Sequence, residues 1–422
     1  MTPPQDQPIA VIVDGYSTGN FLPTAFARAG VSVVHVRSSA EPMASMLAPN
    51  LTEYLDELVC AGDGDVDKTV ALLTELKPVA VLAGQEPGVP LADLLSERLG
   101  LATNGTARSR ARRDKHEMIE TLRAAGIRCA DQTRTADVAE AVAWAEARGD
   151  YPVVVKPLSS ASSDGVTICR TADEVAAAAE AVLAAVDIFD HQNTEVLVQS
   201  YLDGTEYIVD TVSANGEHYL CGVWQYDKTT TATGSRIYDR DVLLDAAESP
   251  VPELLAYLET VLSALGIAHG PAHAEVMMTA EGPALVEVGA RLNGNMNPGF
   301  HDVCLGTNQA DLTALAYVHP SKFVAQYGNR RYTRRQPAIV HNTRTEQDGV
   351  VSKVDQEAVA ALAALPGVHL VGVKLVPGKR IRPTTDLLSS PLRVFLTSPD
   401  HADLESAYDA IQVLKDKVYR TA

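Results

Sequence analysis

Ala284-Leu-Val-Glu-Val-Gly-Ala-Arg-Leu-Asn-Gly-Asn295, read with Ala272-His-Ala-Glu-Val276 before it, is the stretch that decides the fold. Each of two short apolar runs carries one acid. Glu275 stands between Ala274 and Val276, and Glu287 between Val286 and Val288. The segment Thr279-Ala-Glu-Gly-Pro283 lies between the runs and has turn composition. The pattern predicts a hairpin with an acid on each strand. Two carboxylates facing one space repel, and a shared divalent cation resolves the repulsion. Mg²⁺ suits such a site because it takes few carboxylates together with phosphate oxygens. Arg291, four residues after Glu287, supplies a fixed charge for a phosphoryl group or an oxyanion.

Upstream, two lysines stand where phosphates would need them. Tyr151-Pro-Val-Val-Val155 reads as a buried strand, and Lys156 ends it. A cation at the end of a buried strand needs an anionic partner, because an unpaired buried charge is costly. The serine-rich loop Pro157-Leu-Ser-Ser-Ala-Ser-Ser-Asp-Gly165 follows. It can offer backbone N–H groups and hydroxyls to phosphates, but it lacks the P-loop order. Lys115 falls in the first turn of a helix, in Arg-Arg-Asp-Lys, with Asp114 and Glu117 spaced as a capping box. In Val198-Gln-Ser-Tyr-Leu-Asp-Gly-Thr-Glu-Tyr207 a strand opens into a short connection. Backbone groups around Ser200 to Leu202 can meet an adenine edge, and Glu206 can accept from ribose hydroxyls. Lys228 ends a further strand, Trp224-Gln-Tyr-Asp-Lys228, where a surface ion pair is the plain alternative.

Residues 8 to 110 alternate strand and helix, starting with the continuous apolar run Ile9-Ala-Val-Ile-Val13. Such βαβ units build an open parallel sheet. The loop Asp14-Gly-Tyr-Ser-Thr-Gly-Asn20 does not match the dinucleotide fingerprint and reads as a tight turn. Gly84-Gln-Glu-Pro-Gly88 follows a strand in the same way; it is a turn or a substrate loop, since ligands gather at the carboxyl ends of parallel strands. From Arg112 the pattern becomes α+β. Asn329-Arg-Arg-Tyr-Thr-Arg-Arg335 reads as a surface connection. Short strands are expected over 337 to 399, and an amphipathic helix over 403 to 418.

The 422 residues, 46% apolar, can form two or three domains. A net charge of −19 argues against a nucleic-acid or anionic-membrane surface. The five cysteines are scattered, with no Cys-x-x-Cys pair, as expected in a reducing cytoplasm. The apolar run near the start is too short for a signal segment or a membrane span.

The order Lys115, Lys156 with its serine loop, Gln199 to Glu206, Glu275, Glu287, Arg291 resembles the ATP-grasp superfamily over about residues 5 to 420. The tracts Val13-Asp-Gly-Tyr-Ser-Thr-Gly19, Ala83-Gly-Gln-Glu-Pro-Gly-Val89 and Val-Glu-Val-Gly-Ala-Arg-Leu292 are most similar to the L-amino acid ligases. These are the dipeptide-forming branch of bacilysin- and dapdiamide-type biosynthesis. The resemblance implies an α/β and α+β architecture: a Rossmann-like pre-ATP-grasp domain over 1–112, a small subdomain with a phosphate flap over 113–200, a large subdomain over 201–330, and a lid-like β-rich subdomain over 331–422. It implies that one amino acid is activated by ATP as an acyl phosphate and that a second displaces phosphate to form an amide. Lys115 and Lys156 would contact phosphates, with Ser162, Ser163 and Gly165 in the flap. Gln199, Ser200, Tyr201 and Leu202 would hold adenine, and Glu206 ribose. Glu275 and Glu287 would bridge two Mg²⁺ ions, with Mn²⁺ an alternative. Arg291 would stabilise the acyl phosphate and the tetrahedral intermediate, with Lys228 a helper at phosphate. Many members have Asn two residues after the second metal glutamate. This chain has Gly289, which moves the expectation for a third ligand to Asn293. Glu86, His273, Asn295 and Asn297 are candidates for the substrate pocket. A homodimer is expected by resemblance. The rival readings are a purine-type or carboxylating ATP-grasp enzyme and a non-catalytic nucleotide-binding regulator. A biotin carboxylase would carry a longer glycine-rich flap, and the retained Glu275, Glu287 and Arg291 speak against the regulator.

Overall fold

The computed structural model describes residues 7–159, 165–187, 192–230 and 236–422. The first four strands are β1 (Ile9–Val13), β2 (Ser32–Arg37), β3 (Glu57–Val59) and β4 (Ala80–Ala83). They form a parallel sheet in the order β3-β2-β1-β4. All five residues of β1 are buried, as an apolar strand between two neighbours should be. The helices Leu22–Arg28 and Asp63–Leu76 supply crossovers, and Val89–Arg98 follows β4. The two glycine loops meet backbone to backbone at the carboxyl ends of β1 and β4. A β-carbon on Gly84 would stand 2.6 Å from the Cα of Gly15, and one on Gly19 would stand 2.8 Å from the carbonyl oxygen of Gly84. The contact needs residues without side chains, so both loops are structural turns at this point.

A buried ion pair fastens the next segment. Arg112, fully buried, meets Asp93 at 2.8 Å and donates to the carbonyl of Leu265 at 2.9 Å. Asp114 then caps the helix Lys115–Ala124 through the N–H groups of His116 and Glu117, which puts Lys115 at its first position. Strands β5 (Gln132–Thr135), β6 (Val153–Pro157), β7 (Thr167–Cys169) and β8 (Val196–Ser200) form a second sheet, antiparallel, in the order β5-β8-β6-β7.

The largest sheet begins with β9 (Gly204–Ala214), β10 (Glu217–Thr230), β11 (Arg236–Leu243), β12 (Gly270–Thr279) and β13 (Gly282–Gly289). Beyond these come β14 (Arg330–Arg331), β15 (Ala338–Asn342), β16 (Gly349–Val354), β17 (Val368–Val373), β18 (Arg380–Ile381), β19 (Leu392–Thr397) and β20 (Tyr419–Thr421). Nine strands share the large sheet: β13-β12-β9-β10-β11-β15-β19-β17, with β14 alongside β10. The C-terminal strands β15, β19 and β17 therefore extend the sheet that carries the two glutamates. The basic stretch 329–335 is more than a surface connection. Arg330 and Arg331 pair with β10, and Tyr332 is buried. The final helix is His401–Leu414, packed through Leu404, Ala407 and Ile411. No described helix is long and apolar enough to cross a membrane.

Candidate active site

The 275/287 hairpin forms as its sequence predicts, and its register puts Glu275 directly opposite Glu287. Directly paired residues of an antiparallel ladder point to one face, so the two carboxylates share one space. Immediately beside them the register slips: Val276 pairs with Leu285, leaving Val286 as a bulge. A bulge turns successive side chains to the same side. Val286 and Glu287 accordingly line the same cavity, a role for Val286 that alternation alone hides.

That cavity, about 180 Å³, lies between the second sheet and the large sheet. Its walls include Lys115, Lys156, Gln199, Ser200, Tyr201, Leu202, Glu206, Lys228, Glu275 and Glu287, a set drawn from seven elements and the connection after β8. Val154, Ile168, Met277 and Leu387 supply apolar wall that sequence reading missed. Leu387 comes from the C-terminal region, and no local signal marks it. Ser162 and Ser163 lie outside the described residues. Gly165 is described: it has φ +67° and packs on Pro157, where a β-carbon would meet Cγ at 2.9 Å.

The charges are close and unequal. The Lys115 ammonium is on Glu287. Lys156 is buried and makes no ion pair or hydrogen bond among the described residues. Burial first, then the nearby Lys115, brings Lys156 down to about 8, although Glu287, Glu275 and Glu206 favour its charge. Burial and the repulsion of Glu287 and Glu206 push Glu275 up to about 8. Burial acts on Glu287 too, but Lys115, Lys156 and Arg291 outweigh it and hold Glu287 well below the usual carboxylate range. Tyr226 hydrogen-bonds Glu275 at 3.2 Å. Glu275 is thus biased toward its protonated form and Glu287 toward its charged form, with an unmatched ammonium beside them. A dication binding the carboxylates and an anion binding Lys156 would remove both mismatches, so the donor set fits magnesium and phosphate oxygens. Among the described residues no group of three or more His, Cys, Asp or Glu side chains forms a metal cluster. Two carboxylates plus phosphates require no third.

At the nucleoside end, Glu206 is buried and holds Lys228, with the Tyr238 hydroxyl at 3.4 Å. The Lys228 ammonium also stands 4.6 Å from the centre of the Tyr238 ring. Lys228 thus pairs with Glu206 while lining the same cavity as Lys115 and Lys156. The N–H of Ser200 is already bonded to the carbonyl of Asp131 at 2.8 Å. Among the described residues the N–H of Leu202 carries no hydrogen bond, so Leu202, not Ser200, is the N–H open to a base edge.

Arg291 lies at the other end. Its Nε meets Glu86 at 2.8 Å, and Arg113 meets the other oxygen of Glu86 at 3.2 Å. Burial alone would raise Glu86, but Arg291 and Arg113 overcome it and keep the carboxylate below its ordinary value. The loop after β4 therefore does bring a side chain to this end. The remaining candidates are tied together behind the glutamates. His273 holds Asp210 at 2.8 Å, and its other nitrogen is 3.9 Å from Glu275. Asn293 spends its amide on Asp210 at 2.7 Å, and its oxygen accepts the N–H of Asn295 at 2.7 Å. It is not among the residues that line the cavity. Asn295 donates to Asp241 at 2.7 Å. Asn297 caps the helix Pro298–Cys304 by accepting from the N–H of Phe300.

A family model described as an ATP-grasp domain matches residues 149–298. The chain is 34% identical over 391 residues to a dapdiamide A synthase from Enterobacter agglomerans, covering 91% of this chain and 90% of that protein. In fold it is similar to an L-amino acid ligase from Bacillus licheniformis, with TM-score 0.76, 18% identity, and 99% and 100% of the two chains covered. It is also similar to a carboxyaminoimidazole ribonucleotide synthase of Aspergillus clavatus complexed with ATP, with TM-score 0.70, 14% identity, and 98% and 99% covered.

Proposed function

The chain belongs to the ATP-grasp family, and from that premise we propose an ATP-dependent ligase that joins two amino acids, or an amino-acid-like acid and an amine, in the making of a peptide natural product. The observation that carries the reading is the direct pairing of Glu275 with Glu287 beside the unmatched Lys156 in one cavity, with Arg291 near enough to favour the charged form of Glu287. A purine-type or carboxylating enzyme shares the fold. The likeness to dapdiamide A synthase, at 34% over nearly the whole chain, favours amide formation between amino acids.

In this reading a carboxylate oxygen of the first substrate attacks the γ-phosphorus of ATP, and the bond to the ADP oxygen breaks. The amine nitrogen of the second substrate then attacks the acyl carbon. The tetrahedral adduct expels phosphate with the C–O electron pair, and the amine proton is lost. Lys115 and Lys156 hold phosphate oxygens, with Ser162, Ser163 and Gly165 as the covering loop. Leu202 meets the adenine edge through its N–H, Gln199 and Tyr201 flank it, and Glu206 with Lys228 faces the ribose. Glu275 and Glu287 would hold Mg²⁺, two ions in our reading, with Mn²⁺ an alternative. When bound, the metal supplies charge neutralisation along the phosphates. Arg291, fixed by Glu86, faces the oxyanion that develops on the acyl group.

We read the chain as four parts, 1–112, 113–200, 201–330 and 331–422, acting in a cytoplasmic homodimer, in keeping with its strong acidity and its free, scattered cysteines. The test is a phosphate-release screen of amino acids, singly and in pairs, with ATP and Mg²⁺, followed by mass spectrometry. Phosphate release that depends on a pair, with a product at the mass of the condensed pair, is expected. Release that needs only one amino acid would sink the reading.

A further inference from the structure

A second cluster of charge lies beyond the nucleotide cavity, and nothing in the reaction described so far uses it. Arg393 on β19 donates from Nε to Asn342 at 3.2 Å and from Nη1 to the carbonyl of Gly294 at 3.2 Å. Neither partner is charged, and Arg393 makes no ion pair among the described residues. Lys374, just past the end of β17, donates to the carbonyl of Leu387 at 3.2 Å and also lacks an ion pair there. Asp241 on β11 is buried, and Asn295 takes one of its oxygens. Its Oδ1 has no hydrogen-bond partner, and neither does Nδ2 of Asn342, although both residues are only 1% exposed. Buried polar atoms left this way are costly unless a ligand or water meets them. Asp386, whose charge also acts on Lys374, accepts the N–H of Ser389 at 2.7 Å and meets Arg382 at 3.6 Å.

Among the described residues neither Arg393 nor Lys374 has an ion-pair partner, so a ligand bearing a single negative charge would supply one. Burial first, then the nearby Arg393, brings Lys374 down to about 7, although Asp386 and Asp241 favour its charge.

The cluster adjoins the reacting centre in two ways. Asp241 pairs directly with Tyr226 across β10 and β11, and the Tyr226 hydroxyl is on Glu275. Gly294, which holds Arg393, is three residues past Arg291, a span of roughly 10 Å at most. That is the length scale of a two-residue product. Leu387, which holds Lys374, is also a wall of the nucleotide cavity.

On the ligase reading, the two amino acids differ in the fate of their carboxylates. The activated one becomes an acyl phosphate and then an amide. The amine donor keeps its carboxylate throughout and needs a separate anion site. We propose that Arg393 and Lys374, with Asp241 and Asn342 beside them, form the subsite for the α-carboxylate of the amine-donating amino acid.

The test compares wild type with Arg393→Gln and Lys374→Met in steady-state phosphate release. The amine donors are the twenty standard amino acids and their C-terminal primary amides, and each is paired with each standard amino acid as acid substrate. Wild type should prefer the free acid to its amide. Each variant should raise the KM for the free-acid donor by about 10- to 100-fold, the worth of a charge-assisted hydrogen bond, and lose the preference. The KM values for ATP and for the activated acid should stay as in wild type. Lys374→Met removes a desolvated cation and should fold; it carries the test if circular dichroism shows Arg393→Gln unfolded. Unchanged donor KM in the folded variants, or equal use of acids and amides by wild type, overturns the subsite alone. No phosphate release by wild type with any pair overturns the ligase reading on which the subsite rests.

Discussion

The carboxylate of Glu86 occupies the space that a side chain on residue 289 would take. A β-carbon on Gly289 would stand 2.6 Å from Oε2 of Glu86 and 3.3 Å from Nε of Arg291. In this chain an acid from the loop after β4, more than 200 residues away in sequence, fills the gap and grips Arg291 at 2.8 Å. The glycine is a packing requirement, not a lost ligand alone.

Gly289→Ala should therefore displace Glu86 and loosen Arg291. The expected result is a loss of kcat on the order of 10²-fold, with ATP affinity changed little, as when a catalytic group shifts by about an ångström. Combining it with Glu86→Asp, whose shorter side chain leaves room, should recover part of the loss. An unchanged kcat in the single variant would show that Glu86 does not position Arg291.

Arg291→Ala should lower kcat by about 10²- to 10³-fold, the usual effect of removing one oxyanion donor. Arg291→Lys should be nearly as poor, because Nε serves Glu86 and a lysine cannot present that fork. Steady-state kinetics with saturating ATP measures both.

Glu287→Gln should leave the fold intact and abolish turnover. The substitution removes the charge that Lys115 pairs with and half of the paired acids. Normal turnover, read as ADP release, would sink the assignment of this pair to the metal.

Binding of Mg²⁺ and ATP should be linked to protons, with a sign that inverts near pH 8. Below that pH Glu275 is protonated before binding, since burial and Glu287 push it to about 8. Metal needs the ionised form, so binding releases most of a proton at pH 7. Lys156, brought down to about 8 by burial and Lys115, is mostly neutral at pH 9. Phosphate oxygens favour its charged form, so binding there takes a proton up. Calorimetry in two buffers of different ionisation enthalpy reads the sign directly. Release at both pH values would remove Lys156 from the phosphate site.

Much of this was legible in the chain. The alternation before residue 110 reflects a parallel sheet whose strands are buried on both faces, and Lys156 declares itself because a cation ending an apolar strand needs a reason. The paired acids are visible because a hairpin has a fixed period of two. The bulge at Val286, the commitment of Asn293 to Asp210, the use of Asn297 as a cap and the pairing of Lys228 with Glu206 are not visible. Each depends on which long-range partner claims a polar group.

The sequence by itself determined the parts: strands, helices, the acids, the lysines and the arginine, all set by local periodicity and by the cost of burying unmatched charge. Only the tertiary structure decided which of them act together. Glu86 reaches Arg291, and Arg393 and Lys374 gather near Asp241, because distant strands of one sheet and two loops converge there. Hydrogen bonding and Coulomb attraction act through space, and no one-dimensional spacing encodes that distance.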